Sequence, residues 1–127
     1  MSGWTDEELR SIGGAEELRL AFAHENGALS RYVTMWVVRC GDQLYVRSAG
    51  GLERPWYRHV VASGEGRIRA GGVERNVTFA EAPADAHADI DVAYHHKYDR
   101  YGADIVGHVT GPRAQLATIR LVAEGLS

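Results

Sequence analysis

Two alternating runs, Tyr32 to Cys40 and Gln43 to Ala49, flank the dipeptide Gly41-Asp42, and this constrains the fold more than any other part of the chain. A two-residue connection between alternating runs reads as an antiparallel hairpin with a fixed register. It sets Cys40 against Gln43, Val38 against Tyr45 and Trp36 against Arg47. The register divides the hairpin into two faces. One carries Met35, Val37, Leu44 and Val46, ending in Ser48. The other carries Trp36, Val38, Tyr45 and Arg47. The second face puts an arginine beside an indole, so it either binds something flat or packs against a second subunit.

Downstream of the hairpin the chain runs through Gly50-Gly51 to Pro55, which reads as the first residue of a helix ending at Ala62 and closed by Ser63-Gly64. Glycines permit close backbone approach to a ligand, and a helix start offers N–H groups to an anion. Arg47, Arg54 and Arg58 add charge here, and Trp56 and Tyr57 add flat surface. A phosphorylated, planar ligand such as a flavin suits that combination. The alternative is a charged connection whose aromatics pack.

Elsewhere, Thr5 caps a helix opening at Trp4 to Leu9, with Glu8 completing a capping box, and Gly13-Gly14 ends it. Glu17 to Ala23 alternates as a strand, and His24 to Ser30 is a polar turn. Arg67 to Ala70, Gly71-Gly72 and Val73 to Phe79 make a second hairpin. Its Arg75 shares a face with Val73, Val77 and Phe79, so it needs an anionic partner. An Ala-rich linker, Ala80 to Ala86, leads to a helix marked by Ile90, Tyr94, Tyr98 and Tyr101, and Leu116 to Val122 is the closing strand.

The second helix holds the densest set of titratable groups. Lys97 can donate to a carbonyl or phosphate, and Tyr94 and His96 are candidates for acid–base work; tyrosines at helical spacing also serve as packing. His95 and His96 point about 100° apart and cannot easily share a metal, and no metal-ligand spacing occurs. Cys40 has no histidine tied to it in sequence and reads as a packed thiol. No nucleophile elbow or phosphate-binding loop motif is found, and Gly64-Glu65-Gly66 follows a helix instead of a strand.

At 127 residues with 45% hydrophobic content, one domain spanning residues 1–127 is expected. A net charge of −3 argues against nucleic-acid binding through a basic field. No apolar run is long enough to span a bilayer. Met1 to Glu8 is polar and acidic, unlike a signal peptide, and one cysteine excludes a disulfide framework, so a cytoplasmic address is expected.

An ordered series of segments resembles a family of small bacterial proteins of unknown function within the FMN-binding split-barrel group, the flavin reductase-like and pyridoxamine-phosphate oxidase-like proteins. The series is Trp4 to Leu9, Met35 to Arg39, Gly41 to Ser48, Trp56 to Arg58, Gly66 to Ile68, Gly71 to Arg75, Ala93 to Tyr98 and Thr118 to Leu121. The resemblance implies an α+β fold, a six-stranded antiparallel split β-barrel with flanking helices, that forms a homodimer. Relatives in the wider group bind FMN or a deazaflavin between subunits. In them a basic residue near the second strand and polar residues after the third hold phosphate, and the resemblance implies Arg31, Arg47, Ser48 and Arg58 as candidates for those places. Where relatives often show Arg-x-x-Pro, this chain shows Arg31-Tyr-Val-Thr34.

The resulting expectation is a flavin- or deazaflavin-dependent oxidoreductase-like protein acting on a small molecule. Arg47, Ser48, Trp36, Trp56, Tyr57 and Arg58 hold the cofactor, and Lys97, Tyr94 and His96 sit at the chemistry. The alternatives are a cofactor-independent isomerase, lyase or cyclase using the same pocket, and a non-enzymatic small-molecule binding protein.

Overall fold

The computed structural model describes residues 3–49 and 51–124. Its strands are β1 (Leu18–Phe22), β2 (Val33–Met35), β3 (Val38–Cys40), β4 (Gln43–Arg47), β5 (Glu65–Ala70), β6 (Val73–Glu81) and β7 (Thr118–Ala123). Its helices are α1 (Asp6–Gly13), α2 (Pro55–Ser63), α3 (His87–Tyr98), α4 (Ala103–Val106) and α5 (Pro112–Leu116).

All strand pairings are antiparallel, in the order β2-β1-β5-β6-β7-β4-β3. The two end strands, β2 and β3, are consecutive in the chain, with only Trp36 and Val37 between them. The three Cα steps from Met35 to Val38 span no more than about 11 Å, so the two edges of the sheet meet there and the sheet curls into a half-barrel. The expected six strands become seven for this reason. The single run Tyr32 to Cys40 pairs with β1 through its first half and with β4 through its second, and breaks between them. The β3–β4 register follows the expected one, Cys40 against Gln43 and Val38 against Tyr45. Trp36 falls in the break and has no strand partner.

The backbone groups freed at the break are recaptured from α3. Val37 N donates to the Tyr98 hydroxyl (3.2 Å), and Val37 O accepts from Lys97 Nζ (2.7 Å). The hydroxyl in turn donates to Glu16 O at 2.8 Å. Buried amides and carbonyls need such partners, so the helix completes the barrel's seam.

Inside the barrel, Leu18, Leu20, Val37, Leu44, Val46, Ile68 and Leu121 pack against Leu9 and Ile12 of α1 and Val60 of α2. Outside it, Val38 and Tyr45 pack against Ile90, Tyr94 and Tyr98 of α3. Both faces of the hairpin are therefore covered within one chain. Val38 and Tyr45, expected to face a ligand or second subunit, are 1% and 2% exposed. The i, i+4 spacing of Ile90, Tyr94 and Tyr98 is the face that buries them.

The capping box at Thr5 and Glu8 forms as expected. Arg75 has the anionic partner it needs, an ion pair with Glu8 of α1 at 2.6 Å. The first two residues of the expected Ala80 to Ala86 linker extend β6, and a short turn, Ala84–Ala86, precedes α3. No helix among the described residues is long and apolar enough to cross a membrane.

Candidate functional site

β4 delivers Arg47 and Ser48 to a tight turn. Ser48 Oγ donates to Gly51 O (2.8 Å) and Gly51 N donates to Ser48 O (3.0 Å). A single helical turn, Gly51–Glu53, then leads through Arg54 to Pro55 at the start of α2. Gly51 has φ +77°, and a Cβ on it would stand 3.0 Å from Arg113 Nε, so glycine there lets the Arg113 side chain lie across the turn.

Facing this turn is the segment joining α4 to α5. Between the two lies a hollow of about 540 Å³, lined among others by Ser48, Gly51, Arg54, His108 and Arg113. A second hollow of about 380 Å³ is lined by Met35, Trp36, Trp56, Ile105 and Val109, with the edge of Arg47. Ala49, Arg54 and His108 line both. The two are halves of one groove, cationic at one end and aromatic at the other. The side chains of Arg54, His108 and Arg113 are exposed, and among the described residues none has a hydrogen-bonding or ion-pairing partner. Among the described residues Glu53 is the single carboxylate lining the groove.

Arg47 is differently placed. It is 2% exposed, and its fork is spent inside the protein. Nε donates to Thr118 Oγ1 (2.9 Å), and Nη1 donates to Val109 O (2.9 Å) and to Asp91, with which it forms an ion pair. Burial raises the Asp91 carboxyl, but the Arg47 hydrogen bond and charge outweigh it and hold the group below its ordinary range. Ser48 is fully buried. Trp36 stacks on Tyr98, with ring centroids 4.0 Å apart and planes 3° from parallel, and does not lie against Arg47 across the hairpin. Trp36, Trp56, Arg47 and Ser48 therefore reach the groove, the last two through its wall.

Tyr57 and Arg58 do not line the groove. The Tyr57 hydroxyl donates to Leu116 O (3.3 Å), and Arg58 is exposed on α2. The three groups placed at the chemistry do not line the groove either. Tyr94 is completely buried, and burial pushes its phenol well above the ordinary value. Lys97 holds the barrel seam, and burial pushes it down to about 8. His96 lines a separate hollow beside Cys40, Asp85 and Asp89. Among the described residues no three His, Cys, Asp or Glu side chains gather around a metal position.

His108, Arg113 and Asp91 were not singled out in the sequence. Gly111-Pro112 does mark a turn and a helix start just before Arg113, but nothing local ties that turn to Ser48–Pro55, about sixty residues earlier.

The fold is shared with solved structures of low sequence identity. A candidate pyridoxamine 5′-phosphate oxidase from Listeria innocua superposes with a TM-score of 0.64 at 16% identity, covering 94% of this chain and 92% of that one. The heme storage protein HutZ from Vibrio cholerae gives 0.62 at 13%, covering 94% and 89%. An FAD-binding protein from Mesorhizobium loti gives 0.57 at 17%, covering 95% and 91%. The architecture is thus that of the split-barrel proteins, a fold that serves several ligands. No curated protein matches the chain in sequence. Residues 8–121 match the model of the family described as "Uncharacterized protein conserved in bacteria (DUF2255)", and the chain belongs to that family.

Proposed function

We propose that the groove between Gly51–Pro55 and His108–Arg113 binds a phosphorylated, planar ligand, an FMN or deazaflavin, and that the protein is an oxidoreductase acting on a small molecule. The observation that carries this reading is the pair Arg54 and Arg113. Two guanidinium groups without side-chain partners among the described residues border one hollow, which runs on to two indoles. Like charges brought together at a concave surface favour an anion, and an arginine fork matches phosphate geometry. Both hollows have the size of small-molecule sites, about 300–1,000 Å³.

In this reading Arg54 and Arg113 bind the phosphate, with His108 between the two ends. Trp36, backed on one side by Tyr98, and Trp56 offer apolar surface to the ring system. The bound flavin would supply the hydride chemistry; the protein binds, orients and limits water. FAD binding by a protein of this fold supports the choice of ligand.

Absorption and fluorescence titration of the purified protein with FMN and with a deazaflavin tests this. Near-stoichiometric uptake is expected. Arg54→Ala and Arg113→Ala should each weaken it by roughly one to two decades, from the loss of a charge-assisted contact worth about 1.5–3 kcal/mol. A protein that takes up neither would overturn the flavin reading and leave the cofactor-free alternatives.

A further inference from the structure

The segment that carries His108 and Arg113 to the groove has little to hold itself in place. Its two helices, α4 and α5, have four and five residues, too short to be stable alone. The connection between them ends at Gly111, whose φ of +87° is a conformation other residues rarely adopt. What fixes the segment is a set of contacts from elsewhere in the fold, converging on one ion pair. Arg47 Nη1 donates to Val109 O at 2.9 Å. Its partner Asp91 accepts through Oδ2 from Gly111 N (3.4 Å) and Gln115 Nε2 (3.3 Å). Thr118, held by Arg47 Nε, donates to Ala114 O at 3.1 Å. The pair thus grips the segment at three points and, through Thr118, at a fourth. These points bracket Arg113 and adjoin His108.

We infer that Asp91 is a positioning residue for the groove: by holding Arg47 on one side and Gly111 and Gln115 on the other, it sets where Arg113 and His108 stand relative to Arg54. Asp91 touches the back of the segment, and the groove is lined by the front. The inference rests on the reading of that groove as an anion site for its functional meaning, but its structural content does not. Arg47 supplies the bond to Val109, and Asp91 supplies the orientation of Arg47. A carboxylate is needed because one oxygen faces the guanidinium while the other faces two N–H donors, a division that an amide, with one acceptor oxygen, cannot make.

Amide hydrogen exchange on the intact, ligand-free protein is the deciding measurement, with Asp91→Asn and the milder Gln115→Ala. Asp91→Asn should speed exchange over residues 107–116 by about tenfold or more, with β5 and β6 unchanged; Gln115→Ala should give a smaller increase in the same place. Exchange over 107–116 that stays at the wild-type rate, or rises evenly along the chain, would overturn the inference. FMN titration adds a second readout. Asp91→Asn should cost about tenfold in affinity in the wild-type background and nearly nothing on top of Arg113→Ala, because both act through the same contact. Additive losses in that cycle would also overturn it. If the wild-type protein takes up no FMN, the reading of the groove fails, and the exchange experiment still decides the role of Asp91.

Discussion

Trp36 and Tyr98 lie ring on ring, 4.0 Å apart, at the point where the barrel's closing strand breaks. The same tyrosine's hydroxyl accepts from Val37 N and donates to Glu16 O. One residue of α3 therefore fills the seam with its ring and satisfies it with its oxygen. A break in a strand would otherwise leave buried backbone groups unpaired.

Tyr98→Phe separates those two roles. It keeps the stacking surface and removes the partner of the Val37 amide, while Val37 O still has Lys97. We expect a loss of roughly 1–3 kcal/mol, the cost of leaving a buried donor unsatisfied. Urea denaturation checks this. Near-wild-type stability would mean that the seam finds water instead.

Lys97 gives the seam a pH signature. Burial pushes its ammonium from the ordinary 10.5 to about 8. Between about pH 8 and 10 the unfolded chain therefore holds a proton that the folded protein has released, and stability rises with pH across that window. Above it the buried tyrosines oppose the trend, since Tyr98 is raised from 10.0 to about 12 and its folded form keeps its proton longer. Lys97→Met should remove the rise between pH 8 and 10. Denaturation midpoints at several pH values, compared between wild type and variant, test it; parallel curves would show that Lys97 does not titrate there.

The sequence made the hairpin register legible because Gly41-Asp42 is a two-residue turn and alternation does the rest. Arg75's need for an anion was legible too, since its strand face was otherwise apolar, but its partner lies 67 residues away and alternation carries no such information. The break at Trp36–Val37 could not be read. The run is locally a good strand throughout, and only the closing of the sheet bends it. The groove was half legible. Trp36, Trp56 and Arg54 stood in segments with clear local signals, whereas His108 lies between two short helices and Arg113 on the second of them, a segment that long-range contacts hold. Arg47 shows the same limit: its neighbours in sequence point to an anion site, and Asp91, 44 residues on, provides an anion from within the protein.

Glu8 and Arg75 should contribute on the acid side. Burial raises the Glu8 carboxyl, but the Thr5 amide and the Arg75 fork outweigh it and hold it below the ordinary 4.5. A depressed carboxylate gives stability that is present above pH 4.5 and lost as pH falls through its folded value. Glu8→Gln should cost roughly 1.5–3 kcal/mol at neutral pH, the worth of hydrogen bonds to a charged group, and flatten the acid limb. Asp91 titrates on the same limb, so the difference between wild type and variant is the quantity to follow. A constant difference from pH 7 to pH 3 would remove Glu8 from the account.

We expect a homodimer, though not through the hairpin face first suggested by sequence, which α3 covers. The exposed apolar side chains Leu52, Val61 and Leu116, at 48%, 57% and 67%, offer a surface instead. The Tyr57 hydroxyl ties α2, which carries Val61, to Leu116 O, and the turn holding Leu52 packs on α5. Such patches commonly meet a second copy. Sedimentation should show a dimer that the pair Val61→Glu and Leu116→Glu converts to monomer. A wild-type monomer at micromolar concentration would sink the idea.

Arg47 tests whether its partners or a ligand explain its burial. Its donors meet Thr118, Val109 and Asp91 at fixed directions, a fork that an ammonium cannot reproduce. Arg47→Lys should therefore destabilise the protein, and Arg47→Met should do so more, because Asp91 is left without its cation. Removing one member of a buried pair costs about 3–5 kcal/mol, and we expect the lower end, since Asp91 keeps 24% of its side chain exposed and can recover some hydration. Thermal and urea unfolding of both variants, with and without FMN, separates the cases. Equal losses in stability with and without FMN would mark Arg47 as part of the frame. A stable Arg47→Lys that no longer binds FMN would instead return it to the site as a direct anchor, and the groove would have to extend inward past Val109.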